Sequence, residues 1–169
     1  MLLDYFYSKL FVMDFKIRFA TPKDLEDILE LIQELAVYEN EPDAVKVTLE
    51  DLYKYGFGEE ALYKCFVAEV GTKVVGMALF YSRFSTWKGE TVHLEDLIVT
   101  KSMRGQSLGK ALFDSVIMYA KARDIKRVEW VVLDWNTNAI DFYEKYGATV
   151  FKEWRTVQLN EDQINHFNS

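Results

Sequence analysis

The sequence predicts an α/β protein, a mixed central β-sheet with helices on both faces. Segments with helical apolar spacing alternate along the chain with runs rich in β-formers. A strand–helix–strand crossover from Thr91 to Leu133 calls for a parallel pair, while short links elsewhere allow antiparallel pairing. The 169 residues suffice for one domain with a sizeable core, and no composition break divides them.

The first tidy strand is Phe15 to Phe19. Thr21-Pro22-Lys23-Asp24 then reads as a helix start, with a hydroxyl N-cap, proline at the first position and an acid in the first turn. Leu25, Ile28, Leu29, Ile32, Leu35 and Ala36 carry that helix to about Tyr38. After an acidic loop, Thr48 opens a shorter helix that stops near Gly56 and Gly58. Lys64 to Val70 and Lys73 to Tyr81 read as strands around a Gly71-Thr72 turn, followed by a strand from Thr91 to Thr100. A helical face begins at Leu108, a strand runs from Arg127 to Leu133, and a short helix from Thr137 to Tyr146 ends at Gly147. Two strands, Thr149 to Lys152 and Arg155 to Leu159, and a helical turn close the chain. Met1 to Val12 is apolar, yet Asp4 and Lys9 interrupt it; it is too short to span a bilayer, lacks the features of a signal peptide and reads as an accessory extension or a misplaced start.

Composition narrows function. A net charge of −7 without a basic block disfavours nucleic-acid binding, which needs Lys and Arg against phosphates. The same charge suits a cationic substrate and also plain solubility. Cys65 is the only cysteine, so no intrachain disulfide forms; in the strand-like Tyr63 to Ala68 it reads as a buried thiol. No metal-ligand pattern is evident, and the expected compartment is the cytoplasm.

The most informative stretch is Arg104-Gly105-Gln106-Ser107-Leu108-Gly109-Lys110, between a strand and a helix. The first helical turn offers N–H groups without intrahelical partners, and its dipole favours an anion. Small residues admit a phosphate to the backbone, and Arg104 and Lys110 add charge, an arrangement that suits a pyrophosphate. Gly109-Lys110 is followed by Ala111, which excludes a P-loop, and the three-glycine dinucleotide fingerprint is absent. A turn without a ligand fits this segment equally.

Arg104-x-x-Ser107-x-Gly109 resembles the Arg/Gln-x-x-Gly-x-Gly/Ala motif of the GNAT acetyltransferases. Segments at Ile17 to Thr21, Glu34 to Glu39, Gly56 to Glu59, Val67 to Val70, Leu94 to Val99 and Trp135 to Ala148 are similar to the spermidine/spermine (diamine) acetyltransferases and their thialysine-acetylating relatives. The resemblance implies one GNAT domain over residues 1–169, with residues 1–12 as a possible extension. It further implies splayed parallel strands, acetyl-CoA as cofactor, a small cationic amine as substrate and a homodimer; charge and segment length lead to the expectation of neither nucleic acid nor membrane as partner. Ser107 departs from the motif glycine; it keeps its N–H and adds a hydroxyl, at a conformational cost if the position needs a positive φ.

Amine acetylation needs a route for the ammonium proton, carbonyl polarisation and a proton donor for the thiolate. Glu95 and Asp96 are adjacent acids in an apolar strand, which suggests a strand edge, a bulge or a site, since regular neighbours point to opposite faces. The resemblance implies a bulge, with Glu95 the base and Asp96 holding the cation. It makes Tyr143 the acid and Asn136 a cofactor contact; Asn136 also reads as a helix cap. By the same resemblance, backbone N–H groups of Leu97, Ile98 and Val99 pair with pantetheine, and residues 104–110 hold the pyrophosphate. Tyr38, Glu39, Trp87, Glu95, Asp96, Glu153 and Trp154 form its implied substrate surface. His93 reads as structural beside the better-placed acid. Another amine, such as an amino acid, aminoglycoside or protein amine, and a catalytically silent acetyl-CoA-binding module are the competing expectations.

Overall fold

The computed structural model describes residues 14–167, so the expected extension at residues 1–12 lies outside the described residues. The chain divides into two compact units, one running to Trp130 and the other starting at Val131.

In the first unit, strand β1 (Lys16–Phe19) leads into a 3-10 turn at Pro22–Asp24 and helix α1 (Leu25–Tyr38). The start follows the predicted chemistry. Thr21 and Asp24 form a capping box, and the Asp24 carboxylate accepts from the Thr21 N–H at 2.7 Å. Arg18 donates to the same carboxylate and to Glu69, tying the helix start to the sheet. Helix α2 (Leu49–Phe57) has the same device at Thr48 and Asp51, and Gly58 caps its end.

Strands β2 (Lys64–Val70), β3 (Lys73–Ser85), β4 (Gly89–Val99) and β5 (Val128–Glu129) complete a sheet in the order β1-β2-β3-β4-β5. β1 to β4 pair antiparallel, and β4–β5 is the parallel pair that the crossover requires. Helix α3 (Leu108–Ala122) is the crossover helix.

Strand alternation sorts the core into two layers. Cys65, Val67, Met77, Leu79 and Ile98 meet Leu25, Ile28, Leu31 and Leu52 of α1 and α2 on one face. On the other face, the Phe80 ring meets Phe66 and the α3 residue Tyr119. Gly76 lies where an added Cβ would come 2.9 Å from the Ile98 carbonyl oxygen and 3.2 Å from a Leu112 methyl, so a larger residue would push α3 off the sheet. Helices therefore cover both faces, as expected. Burial pushes the Cys65 thiol up, in keeping with a structural role.

Two expectations need correction. The predicted strand from Arg127 to Leu133 forms a ladder only at Val128 and Glu129. Beyond them Val131 is 69% exposed, and without a neighbour to accept its hydrogen bonds a β-rich run gains no ladder. The strands expected at Thr149–Lys152 and Arg155–Leu159 do not form among the described residues; the segment is exposed, with Val157 at 92%. The second unit instead holds helix α4 (Thr137–Lys145), which ends before Gly147 at φ +84°, and the short helix α5 (Glu161–Asn165). No described helix is long and apolar enough to cross a membrane.

Candidate active site

In the first unit the site grows from an irregularity in β4. Leu79 faces Asp96 and Phe80 faces Leu94 across the β3–β4 ladder, so Glu95 is one residue too many. Backbone direction records this insertion. The Val92 N–H donates to Arg127 in the β5 direction at 2.9 Å, and the Thr100 N–H donates to Val75 of β3 at 2.9 Å. An even separation along a regular strand would send both to the same edge. The bulge reverses the parity, so Ile98 shares the direction of Thr100 towards β3, and Leu97 and Val99 present their N–H groups to the opposite edge. That edge leaves the ladder early, because β5 pairs with β4 only at Val92 and His93. Here is the expected splay.

The bulge also brings two acids to one face. Asp96 stands opposite Leu79, whose side chain belongs to the α1 layer, and Glu95 lies beside His93 and Tyr81 on that face. Asp96 is half-buried, and burial, followed by the charges of Glu95 and Glu39, pushes its carboxyl up to about 6. Glu39 caps the C-terminus of α1 and is itself raised by desolvation. Glu95 keeps a side chain 51% exposed. Three carboxylates thus act on one another at this edge, an arrangement that favours a cation.

Past Val99 the chain makes a 3-10 turn at Lys101–Met103 and enters α3. Gly105 takes φ +77°, a conformation open to glycine, and Ser107 takes φ +66° with no side-chain capping bond. This pair of left-handed residues turns the chain so that α3 begins at Leu108 with its N–H groups directed outward. An added Cβ at Gly109 would make only ordinary contact with Val99 at 3.8 Å, so glycine there is a matter of access rather than of packing. Neither predicted cation is idle. Arg104 donates to the Val99 carbonyl at 3.0 Å and lies 5.1 Å from the Tyr38 ring, while Lys110 pairs with Asp114 one helical turn on. The loop's backbone N–H groups add their own attraction for an anion.

Two of the predicted residues lie in the second unit. Asn136 caps α4, accepting from the Ala139 N–H at 3.3 Å. Tyr143 is buried, its ring 5.3 Å from Phe142, and burial pushes its phenol up to about 12. Its proton is held throughout the neutral range.

The acetyltransferase (GNAT) family model matches residues 25–148. The chain belongs to this family. Thialysine N-epsilon-acetyltransferase of Bos taurus is 42% identical over 140 residues, 78% of this chain and 82% of that protein. Spermidine/spermine N(1)-acetyltransferase-like protein 1 of Homo sapiens is 32% identical over 160 residues, 89% of this chain but 23% of that longer protein. An integron cassette protein from the mobile metagenome of V. cholerae has the same fold, with a TM-score of 0.75 at 25% identity over 90% of this chain and 96% of that one.

This N-acetyltransferase brings together some expected residues and not others. Glu95, Asp96 and Glu39 converge electrostatically, and Tyr38 lies with Arg104 at the end of α1. Trp87 does not join them. It sits in the β3–β4 turn, a residue 80% exposed, and the strand from Gly89 to Glu95 spans roughly 20 Å. Glu153 and Trp154 are exposed in the second unit. Ile98 turns its N–H towards β3, leaving Leu97 and Val99 as the outward backbone donors. Sequence reading missed Tyr81, Arg83 and Glu129, which stand around His93 and Glu95. Tyr81-x-Arg83 and His93-x-Glu95 are visible as same-face pairs, but only the register places one opposite the other. Among the described residues no group of three or more His, Cys, Asp and Glu side chains is placed to hold a metal ion.

Proposed function

We propose that the enzyme transfers the acetyl group of acetyl-CoA to a primary amine of a small cationic substrate, a diamine or a lysine analogue, by direct attack in a ternary complex. The observation that carries this reading is the half-buried Asp96, which burial and the neighbouring acids Glu95 and Glu39 hold at a raised pKa. A cation relieves both the burial cost and the mutual repulsion, and each further ammonium of a polyamine has a further carboxylate to meet. The relatives named for thialysine and spermidine/spermine chemistry support the same class.

Acetyl-CoA fits the residues present. The outward N–H groups of Leu97 and Val99 suit the amide groups of pantetheine, and the loop from Arg104 to Lys110, with Gly105 and Ser107 in the left-handed region, suits its pyrophosphate. Gln106, Leu108 and Gly109 contribute backbone, and Asn136 is a further contact carried over from the family resemblance. When bound, the cofactor supplies a thioester-activated acetyl group.

Glu95, the more exposed acid, takes the ammonium proton, directly or through water, while Asp96 holds the charged amine. Tyr143 gives its proton to the departing thiolate. Tyr38, Glu39, Glu153 and Trp154 remain proposed substrate contacts, and Trp87 joins them only from outside its own β4 bulge. The family match runs across the boundary at Trp130, which supports a single catalytic domain. A cytoplasmic homodimer completes the reading; exposed Phe84 and Trp87 on the β3–β4 hairpin offer apolar surface for a second copy, and light scattering tests it.

The decisive experiment follows CoA release over a panel of diamines, polyamines, lysine analogues, amino acids and aminoglycosides. Turnover that prefers substrates with a second positive charge upholds the reading. Preference for uncharged amines, or cofactor binding without turnover on any amine, overturns it.

A further inference from the structure

The β4 bulge lies at the end of a row of side chains that crosses three strands. Tyr81 of β3 pairs with His93 of β4, which pairs in turn with Glu129 of β5, so all three share one face. Arg83, two residues along from Tyr81, shares that face. Its Nη1 lies 2.8 Å from the Glu129 carboxylate and 3.2 Å from Nδ1 of His93. Arg127 Nε lies 2.9 Å from the other Glu129 oxygen, an ion pair without hydrogen-bond alignment.

This contact favours one tautomer of the ring. A guanidinium has only donors, so the Nδ1 that faces it must accept. The neutral imidazole then has its single proton on Nε2. That nitrogen points the other way, 3.6 Å from the Glu95 carboxylate. The Tyr81 hydroxyl reaches the same carboxylate, and the Tyr81 and His93 rings lie 5.2 Å apart. Burial lowers the His93 pKa, which keeps the ring neutral and preserves this single-proton arrangement at neutral pH.

We propose that His93 is a positioning residue for Glu95, held by Arg83 in the Nε2–H tautomer so that its N–H, together with the Tyr81 hydroxyl, aims the carboxylate of the bulge. The proposal rests on the reading of Glu95 as the base. A bulge residue lacks a ladder partner and a 51% exposed side chain lacks packing, so Glu95 has little else to select one rotamer. The 3.6 Å gap is longer than a hydrogen bond and closes with a sub-ångström movement of the carboxylate, as catalytic contacts do when a substrate arrives. Arg83, Glu129 and Arg127 act on the tautomer; Tyr81 and His93 act on the carboxylate.

The test has two arms. The chain has two histidines, so nitrogen-15 NMR of the full protein labelled at histidine gives two ring systems, assigned with His166→Gln. The expected wild-type result is a proton on Nε2 and a bare Nδ1 for His93, with the second tautomer appearing in Arg83→Met. A His93 protonated on Nδ1 in the wild type overturns the proposal. In the second arm, His93→Leu lowers kcat about tenfold, the scale of a neutral donor lost from a charged acceptor, with amine KM and cofactor affinity unchanged. His93→Gln, which restores an N–H at a similar reach, recovers most of that loss. Equal turnover in His93→Leu and wild type overturns the positioning role, and a parallel fall in both His93 variants does so too. Glu95→Gln separates the two levels. If it turns over like wild type, the base assignment falls and the positioning role with it; if it is slow while His93→Leu is not, only the positioning role falls.

Discussion

Replacing Asp96 by Asn makes the charge balance of the site measurable without activity. Burial is the leading cause of its raised pKa, followed by Glu95 and Glu39, and together they move it from 3.8 to about 6. Each unit corresponds to about 1.4 kcal/mol, and residual solvent contact screens part of the total, so the ionised carboxylate costs the fold about 2 kcal/mol. The sign follows from linkage. A carboxyl whose folded pKa exceeds its unfolded value stabilises the fold relative to the ionised state below the unfolded pKa, and that contribution is lost as pH rises through about 6. Asn carries no such dependence. Urea unfolding at a series of pH values from 4 to 8 should therefore show the Asp96→Asn stability gaining on wild type by about 2 kcal/mol, most of it between pH 4 and 7. Any pH-independent offset from the amide is irrelevant. A difference that stays flat over this range refutes the reasoning. Substrate adds a second readout: an ammonium beside Asp96 favours the carboxylate, so wild-type KM for a diamine should rise below pH 6, and the Asp96→Asn profile should lose that rise.

Tyr143→Phe should lower turnover by about 10²–10⁴-fold while sparing cofactor affinity, and an unchanged kcat removes the phenol from the mechanism. Because burial holds its pKa near 12, Tyr143 should contribute no alkaline limb to the rate below about pH 11. Ser107 holds a left-handed conformation and caps nothing, so Ser107→Gly should exceed Ser107→Ala in stability by about 1 kcal/mol, although alanine is ordinarily the better helix former. Chemical denaturation checks this, and equal or reversed stabilities count against strain at that position. Arg104→Gln forfeits the Val99 carbonyl bond and the contact with the Tyr38 ring, which should cost about 1–2 kcal/mol in the same assay and weaken cofactor binding through the loop.

Local chemistry made much of this fold legible. Thr21 with Asp24 and Thr48 with Asp51 announce their helices because a capping box needs only residues three apart. Gly71 marks the β2–β3 turn for the same kind of reason, since its φ of +62° suits glycine. Two adjacent acids in the apolar run from Val92 to Val99 pointed to a strand edge, a bulge or a site, and the family resemblance singled out the bulge. What stayed hidden depends on partners distant in sequence. The β3 strand continues to Ser85, beyond the expected end at Tyr81, because Arg83 and Phe84 find ladder partners in Thr91 and Glu90. The run from Arg127 to Leu133 has strand composition but pairs only where β4 still offers an edge. Arg104 and Lys110 read as phosphate ligands from their spacing; their contacts with Val99 and Asp114 are visible only in the fold.

One extra residue in β4 answers a conflict that a regular strand cannot resolve. In an uninterrupted ladder Glu95 and Asp96 would face opposite sides, and Asp96 would share the side of Leu94, which is 2% exposed in the layer under α3. An ionised carboxylate there, without a partner, costs several kcal/mol. Inserting Glu95 moves Asp96 to the face where α1 ends, next to Glu39, and leaves Leu94 with Phe80 in the apolar layer. The same half-turn of the backbone exposes the N–H groups of Leu97 and Val99 at the edge that β5 has left. Acid placement and backbone donors therefore stand or fall together: a substitution that restored regular pairing at Glu95 would remove both the cation site and the row of N–H donors in one step.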